Sequence, residues 1–277
     1  MSNPNDNALA IVGMSACFPG AHDLEAFWRG VVNGRRFLGP LPPERAGGAV
    51  PAAAVTGGFF TTPCRLHPRT PVLDDDGSHP HLALLRDLVV RALCDAGAES
   101  PARLAQTDLL IAGEHDGEAD AGAVEAVRAG VAAPLGIGGA VRVFSLSEGA
   151  ALAPLLRAAA QRLRAGAAGH VILAGVSGPA LPAWWHRLRR DGVLCEQGFP
   201  EFLAEARPGV LPGEGGGAVV LAPYATVAAG GESVHALVTG VGDGSAESAV
   251  SGDGAGSGIR AALDAAGAGA CPDYIEV

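Results

Sequence analysis

Uninterrupted apolar runs separated by helix-patterned stretches constrain this chain more than any other feature. ALAIVGMSACF (8–18), TDLLIAGEH (107–115), VFSLS (143–147), GHVILAGVSG (169–178), GEGGGAVVLAPY (213–224) and SVHALVTGVG (233–242) are apolar through most of their length rather than alternating. A strand of that kind is covered on both faces. Between the runs lie DLEAFWRGVVNG (23–34), HLALLRDLVVRALCDAG (81–97), the helix-leaning stretch 117–130 and GIRAALDAAGAG (258–269). Strands that alternate with helices predict an α/β fold with a mixed, mostly parallel sheet in a layered arrangement. Asp23 is placed to cap its helix, with Leu24, Phe27, Trp28 and Val31 on one face and Gly34 as the stop. Residues 39–80, rich in Pro, Gly and Thr, read as a long surface excursion, and 242–256 as a small-residue loop.

Composition narrows the function. Net charge is -10, and all 19 basic residues are Arg. Nucleic acid needs a basic face, so it is not an expected partner. Cys17, Cys64, Cys94, Cys195 and Cys271 lack metal or redox spacing and suggest reduced thiols in the cytoplasm. The opening MSNPNDN has no signal-peptide pattern. The uncharged stretch between Arg164 and Arg187 is broken by Gly175, Gly178, Pro179 and Pro182, so no membrane span is expected. Asp74, Asp75 and Asp76 read as a solvated run in a Gly/Pro loop, and no metal or cofactor is expected.

VFSLSEGAALAPLLRAAAQRLRAG (143–166) is a strand that breaks at Ser145-Leu146-Ser147-Glu148-Gly149 and passes at once into an Ala/Leu-rich helix. A helix N-terminus reached through a tight elbow is a place where enzymes hold a nucleophile. Ser145 and Ser147 are the hydroxyl candidates, although Ser147 also suits a helix cap. Glu148 is out of place in an apolar elbow unless it is solvated or lies on helix N–H groups. Gly213, Gly215, Gly216 and Gly217 lack a following G-K-[ST], and read as close backbone packing rather than a phosphate loop.

Several segments in order resemble the ketosynthase of modular polyketide synthases, a member of the thiolase superfamily. ALAIVGMSACFPGAHDLEAFWRGVVNGRRFLGPLPPER is similar to its opening, and HPHLALLRDLVVRALCDAG to its first long helix. LRAGAAGHVILAGVS, RRDGVLCEQGF, PGEGGGAVVL and PDYIEV match later segments. The resemblance implies a thiolase fold of two similar halves, usually homodimeric. It also implies a Claisen condensation in which an elbow Cys carries the acyl chain and two His assist decarboxylation.

At the elbow the resemblance fails. The family's Cys position falls on Gly149 in one register and on Glu148 in the other, and no Cys occurs between Cys94 and Cys195. Neither family His maps to a His of this chain, whose last residue, Val277, stands where the family continues into its first catalytic His. The expectation is a truncated ketosynthase-like domain, 1–277. Within it 8–232 form the N-terminal thiolase-like half. Residues 233–277 begin an incomplete C-terminal half, with VHALVTGV and PDYIEV in a second sheet.

Such a chain is expected to be condensation-incompetent and to serve as a partner or scaffold. It would pair with itself, with a ketosynthase-type subunit or with an acyl carrier protein. Trp184, Trp185, Arg187, Arg189 and Arg190 are the candidate carrier-protein contact. The alternative is a repurposed enzyme that acts on acyl-carrier thioesters from the elbow, by cyclisation, hydrolysis or acyl transfer.

Overall fold

The computed structural model describes residues 7–42, 56–60, 66–71, 80–113, 121–145, 152–177, 190–192, 194–195, 209, 211–242, 253–267 and 272–273. The chain divides into two compact units. The first is Met1–Ser15, His67–Gly175 and Ala218–Val277; the second is Ala16–Leu66 and Val176–Gly217.

The apolar runs become the strands of one sheet. They are β1 (Leu9–Cys17), β4 (Thr107–Gly113), β5 (Val141–Ser145), β6 (His170–Ser177), β7 (Gly215–Pro223) and β8 (Ala236–Val238), in the order β5-β4-β6-β7-β1-β8. β4 pairs parallel with β5 and with β6, and β8 pairs antiparallel with β1, so the sheet is mixed. The long apolar strands lie inside the sheet order and the short β5 and β8 lie at its ends, as double-sided burial requires. Two short strands, β2 (Gly39–Pro40) and β3 (Thr56–Gly57), pair antiparallel in a separate sheet.

Helices α2 (Pro80–Asp95) and α6 (Leu152–Arg164) flank the sheet of the first unit. α6 turns Leu155, Ala159, Ala160 and Leu163 onto Leu9, Leu110, Val171, Leu173 and Leu221. Each buried Leu contributes about 2 kcal/mol. α2 lies so close to β1 that a Cβ on Gly13 would stand 2.3 Å from the carbonyl oxygen of Ala92. The Ser15 hydroxyl donates to the Leu88 carbonyl at 2.7 Å across the same contact. Glycine at position 13 is thus a packing requirement.

The smaller helices are α1 (Leu24–Val32), α3 (Pro101–Leu104), α4 (Ala121–Val127), α5 (Ala133–Leu135), α7 (Tyr224–Gly230) and α8 (Asp253–Ala266). Asp23 caps α1 as expected, accepting from the Ala26 N–H at 2.7 Å. The described part of the helix-leaning stretch 117–130 is α4 followed by a π-helical turn, Arg128–Ala132, before α5. Arg86 donates to the Gly130 carbonyl inside that turn at 2.7 Å, satisfying an acceptor of the widened helix.

The apolar face of α1 is largely solvent-exposed, with Trp28 at 65% and Val31 at 53%. Two expectations need correction. The described part of the 39–80 excursion is not all surface, since Gly57, Gly58 and Phe59 are buried. The described strand of VHALVTGV joins the first sheet rather than a second one, with Leu9 opposite Val238 and Ile11 opposite Ala236. PDYIEV lies almost wholly outside the described residues.

Candidate functional site

The elbow is set between two firmly held elements. β5 ends at Ser145, whose backbone stands opposite Gly113 at the end of β4. α6 begins at Leu152, which is exposed, and its buried face starts at Leu155. Leu146–Ala151, including Ser147, Glu148 and Gly149, lie outside the described residues. The capping role of Ser147 and the setting of Glu148 therefore rest on the sequence.

Asp108 holds both flanks. It is buried in β4, and one of its oxygens accepts the Ala140 N–H at 2.7 Å, just before β5 starts. The other accepts from Arg162 Nε on α6 at 2.5 Å, and Arg162 Nη2 reaches the first oxygen at 3.3 Å. That fork is the geometry in which Arg and carboxylate bind best. The hydrogen bond to Asp108, and then its charge, raise the Arg162 guanidinium above its ordinary value. Gly139 completes the clamp, because a Cβ there would stand 2.3 Å from the Thr107 carbonyl oxygen. Sequence reading missed Asp108. Its signal was a carboxylate at the second position of an apolar strand, with Gly138-Gly139 one strand later.

The glycine-dense bend behaves as expected for close packing, at one position. Gly215 has a φ of +147°, and a Cβ there would stand 2.4 Å from the Phe18 ring. Gly213 has open space around it. Between them Glu214 is buried and accepts the Phe60 N–H at 2.5 Å. The Glu214 N–H in turn donates to the Gly58 carbonyl at 2.8 Å. The buried carboxylate, accepting a backbone N–H, and the Glu214 backbone N–H together tie the bend to the segment 58–60.

Among the described residues Cys17, Cys94 and Cys195 are thiols. Cys17, at the end of β1, has its sulfur 3.9 Å from His22 Nδ1 and is buried. Cys94 donates to Glu99 at 3.2 Å. Burial, and then Glu99, push its thiol up. None of these sulfurs belongs to the elbow. Of the candidate carrier-protein contact, Arg190 is described. It is exposed and pairs with Asp191 at 3.1 Å, whereas Trp184, Trp185, Arg187 and Arg189 lie outside the described residues. Among the described residues no His, Cys, Asp and Glu converge as metal ligands would, and no helix is long and apolar enough to cross a membrane.

The mixed sheet with flanking helices, in which Asp108 ties the start of β5 to α6, is a thiolase-like fold. Residues 6–107 and 129–226 match the beta-ketoacyl synthase N-terminal domain, and the chain belongs to that family. It is 26% identical over 247 residues to polyketide synthase PksL of Bacillus subtilis, a match covering 83% of this chain and 5% of PksL. It is 29% identical over 283 residues to the spectinabilin polyketide synthase system protein NorA' of Streptomyces orinoci, covering 92% of this chain and 7% of that protein.

Among solved structures, it is similar to the oxazolomycin ketosynthase domain OzmH KS7 of Streptomyces albus JA3453. The TM-score is 0.70 at 23% identity, over 85% of this chain and 46% of that one. The ketosynthase from module 6 of the bacillaene synthase of Bacillus subtilis 168 gives 0.67 at 20%, over 85% and 43%. The chain thus spans less than half of these solved ketosynthases and a small part of the curated relatives.

Proposed function

We propose that this ketosynthase-like polyketide synthase domain does not itself condense acyl chains, and acts in the cytoplasm as a partner of a ketosynthase-type subunit or an acyl carrier protein. The carrying observation is the elbow sequence Ser145-Leu146-Ser147-Glu148-Gly149, with no Cys between Cys94 and Cys195. Glycine offers no side chain to acylate, and a glutamate carboxylate is not a thioester-forming nucleophile. The clamp by Asp108 and Arg162 holds the strand and the helix on either side of that segment, whose sequence carries no Cys.

Two surfaces favour association. Among the described residues β5 ends the sheet order, and an open strand edge is a template for pairing with a second copy or a related subunit. The exposed Phe27, Trp28, Val31 and Val32 of α1 form an apolar face of the kind that partners cover.

The competing reading is a hydrolase, cyclase or acyl transferase using Ser145, Ser147 or Glu148. What favours it is the position of Ser145 at the last residue of β5, where the elbow begins. One experiment separates the two. The purified chain is incubated with acyl-pantetheine thioesters and analysed by intact and peptide mass spectrometry, and in parallel by size exclusion with candidate ketosynthases and carrier proteins. The partner reading expects no covalent adduct and a stable complex. An adduct on Ser145 or Ser147, or thioester turnover lost in their Ala variants, supports the enzyme instead. Two-carbon extension of a carrier-bound chain by this polypeptide overturns both.

A further inference from the structure

α1 is laid against the chain the wrong way round for an ordinary amphipathic helix. Its glycine faces inward: Gly30 is buried, and a Cβ there would stand 3.0 Å from the Phe37 ring. Its large apolar residues face outward, with Trp28 and Val32 each 65% exposed and Val31 53%. Phe27 is the partial exception, since its ring centroid lies 5.0 Å from that of Phe18. Six of the nine large apolar side chains exposed among the described residues lie between Phe27 and Leu38. Scattered apolar exposure is ordinary, whereas its concentration in one short segment marks a contact surface.

The charges around this patch are ordered along the helix. Asp23 and Glu25 stand at its N-terminal end, and Arg35 and Arg36 just beyond its C-terminal end, all four exposed. Backbone bonds fix the basic end: the Gly34 N–H donates to the Val31 carbonyl at 3.0 Å, and the Arg35 N–H to the Gly30 carbonyl at 2.9 Å. Glu25 also pairs with Arg29 at 2.8 Å, but both are exposed, and such a pair holds its members weakly. A face that is acidic at one end and basic at the other is complementary to itself when turned end for end.

We propose that the outer face of α1 is a self-association surface, on which a second copy of this chain packs antiparallel about a two-fold axis. The axis crosses between Trp28 and Val32. Trp28 of each copy then lies against Val32 of the other, and Glu25 of each against Arg35 of the other. The parallel arrangement sets Glu25 beside Glu25 and Arg35 beside Arg35, and like charges so placed repel. The proposal rests on reading this chain as an associating domain, and names what covers one of its faces. The outward side chains supply on the order of 500 Å² a copy, about 1,000 Å² in all, the lower bound of a specific interface. The dimer is therefore weak and concentration-dependent, and its register is set by the charges.

Analytical ultracentrifugation of the whole chain over a range of concentrations tests the proposal. A reversible monomer–dimer equilibrium is expected. Trp28→Ser weakens it roughly tenfold, by removing the aromatic anchor. Glu25→Arg and Arg35→Glu, each alone, also weaken it roughly tenfold, because each sets two like-charged contacts across the axis. Combining the two charge reversals in one chain brings the equilibrium back to within about threefold of wild type. Mixing the two single variants restores it as well, since each then meets the opposite charge on the other copy. A variant that merely misfolds is rescued by neither. If Trp28→Ser fails to fold, the charge variants, both at exposed positions, decide. A monomer at every concentration overturns the proposal, as does a dimer indifferent to these substitutions. A chain that stays monomeric yet binds a ketosynthase or a carrier protein overturns self-association and leaves the wider partner role standing.

Discussion

Among single residues, Asp108 has the largest consequences. Its carboxylate is 1% exposed while the Arg162 side chain is 33% exposed, and that asymmetry sets the outcome of removing each partner. Arg162→Ala strands a buried carboxylate whose remaining bond among the described residues is to the Ala140 N–H, which should cost about 3 kcal/mol. Asp108→Asn frees an arginine that can swing into water, and should cost about 1–2 kcal/mol. Urea denaturation of both single variants and the double variant checks this: the double variant is expected to lose less than the sum of the two. Equal costs for the singles would mean that Arg162 contributes through its aliphatic stem rather than through its charge. The clamp was not legible in the sequence, because β4 meets Ala140 and Arg162 only through tertiary contacts separated by 32 and 54 residues. Asp23 was legible, since a cap bonds within its own first turn.

At the scale of elements, what could be read and what could not divide along the same line. The apolar runs identified β1, β4, β6 and β7 to within a few residues, because double-sided burial is a property of the strand's own composition. The Ala/Leu pattern located α2 and α6 equally well. Sequence reading missed the π-helical turn at Arg128–Ala132, whose widened register depends on Leu82 and Arg86 of α2 packing at Gly130. It also missed the short α3 and α7, which are too brief to show a period. For β8 the wrong sheet was expected, because three apolar residues carry no information about which edge they join.

α1 shows the limit from the other side, since the periodicity gives its apolar face but carries no information on what covers it. Two substitutions on this helix should therefore behave oppositely. Asp23→Ala, which removes the cap, is expected to lower stability by about 1 kcal/mol. Trp28→Ser, at an exposed position, is expected to stay within about 0.5 kcal/mol and, under the proposed partner role, to weaken association instead. Melting curves and size exclusion on the same samples distinguish them. A large stability loss in Trp28→Ser would show that the ring is packed within the chain.

For the whole molecule, acid is the most informative perturbation, because one half-buried histidine sits at the start of the central strand β6. His170 stands opposite Thr107 of β4, near the Arg103–Glu232 ion pair that links α3 to the turn before β8. Burial, and then the positive charge of Arg103, push its imidazole below the ordinary histidine value, with Glu232 opposing in part. The folded chain thus binds this proton less readily than the unfolded chain, whose His titrates near 6.5. Stability from His170 is fully present above about pH 6.5 and is lost as pH falls toward the lower, folded value.

The carboxylates, part of a net charge of -10, add their own acid dependence, so the wild-type curve alone cannot isolate the histidine. His170→Gln removes only the titration. Urea unfolding at pH 7.5 and 5.0 should show wild type losing more stability on acidification than the variant, the two converging in slope above pH 7. A His170→Gln variant with the same acid dependence as wild type would place the loss in the carboxylates instead.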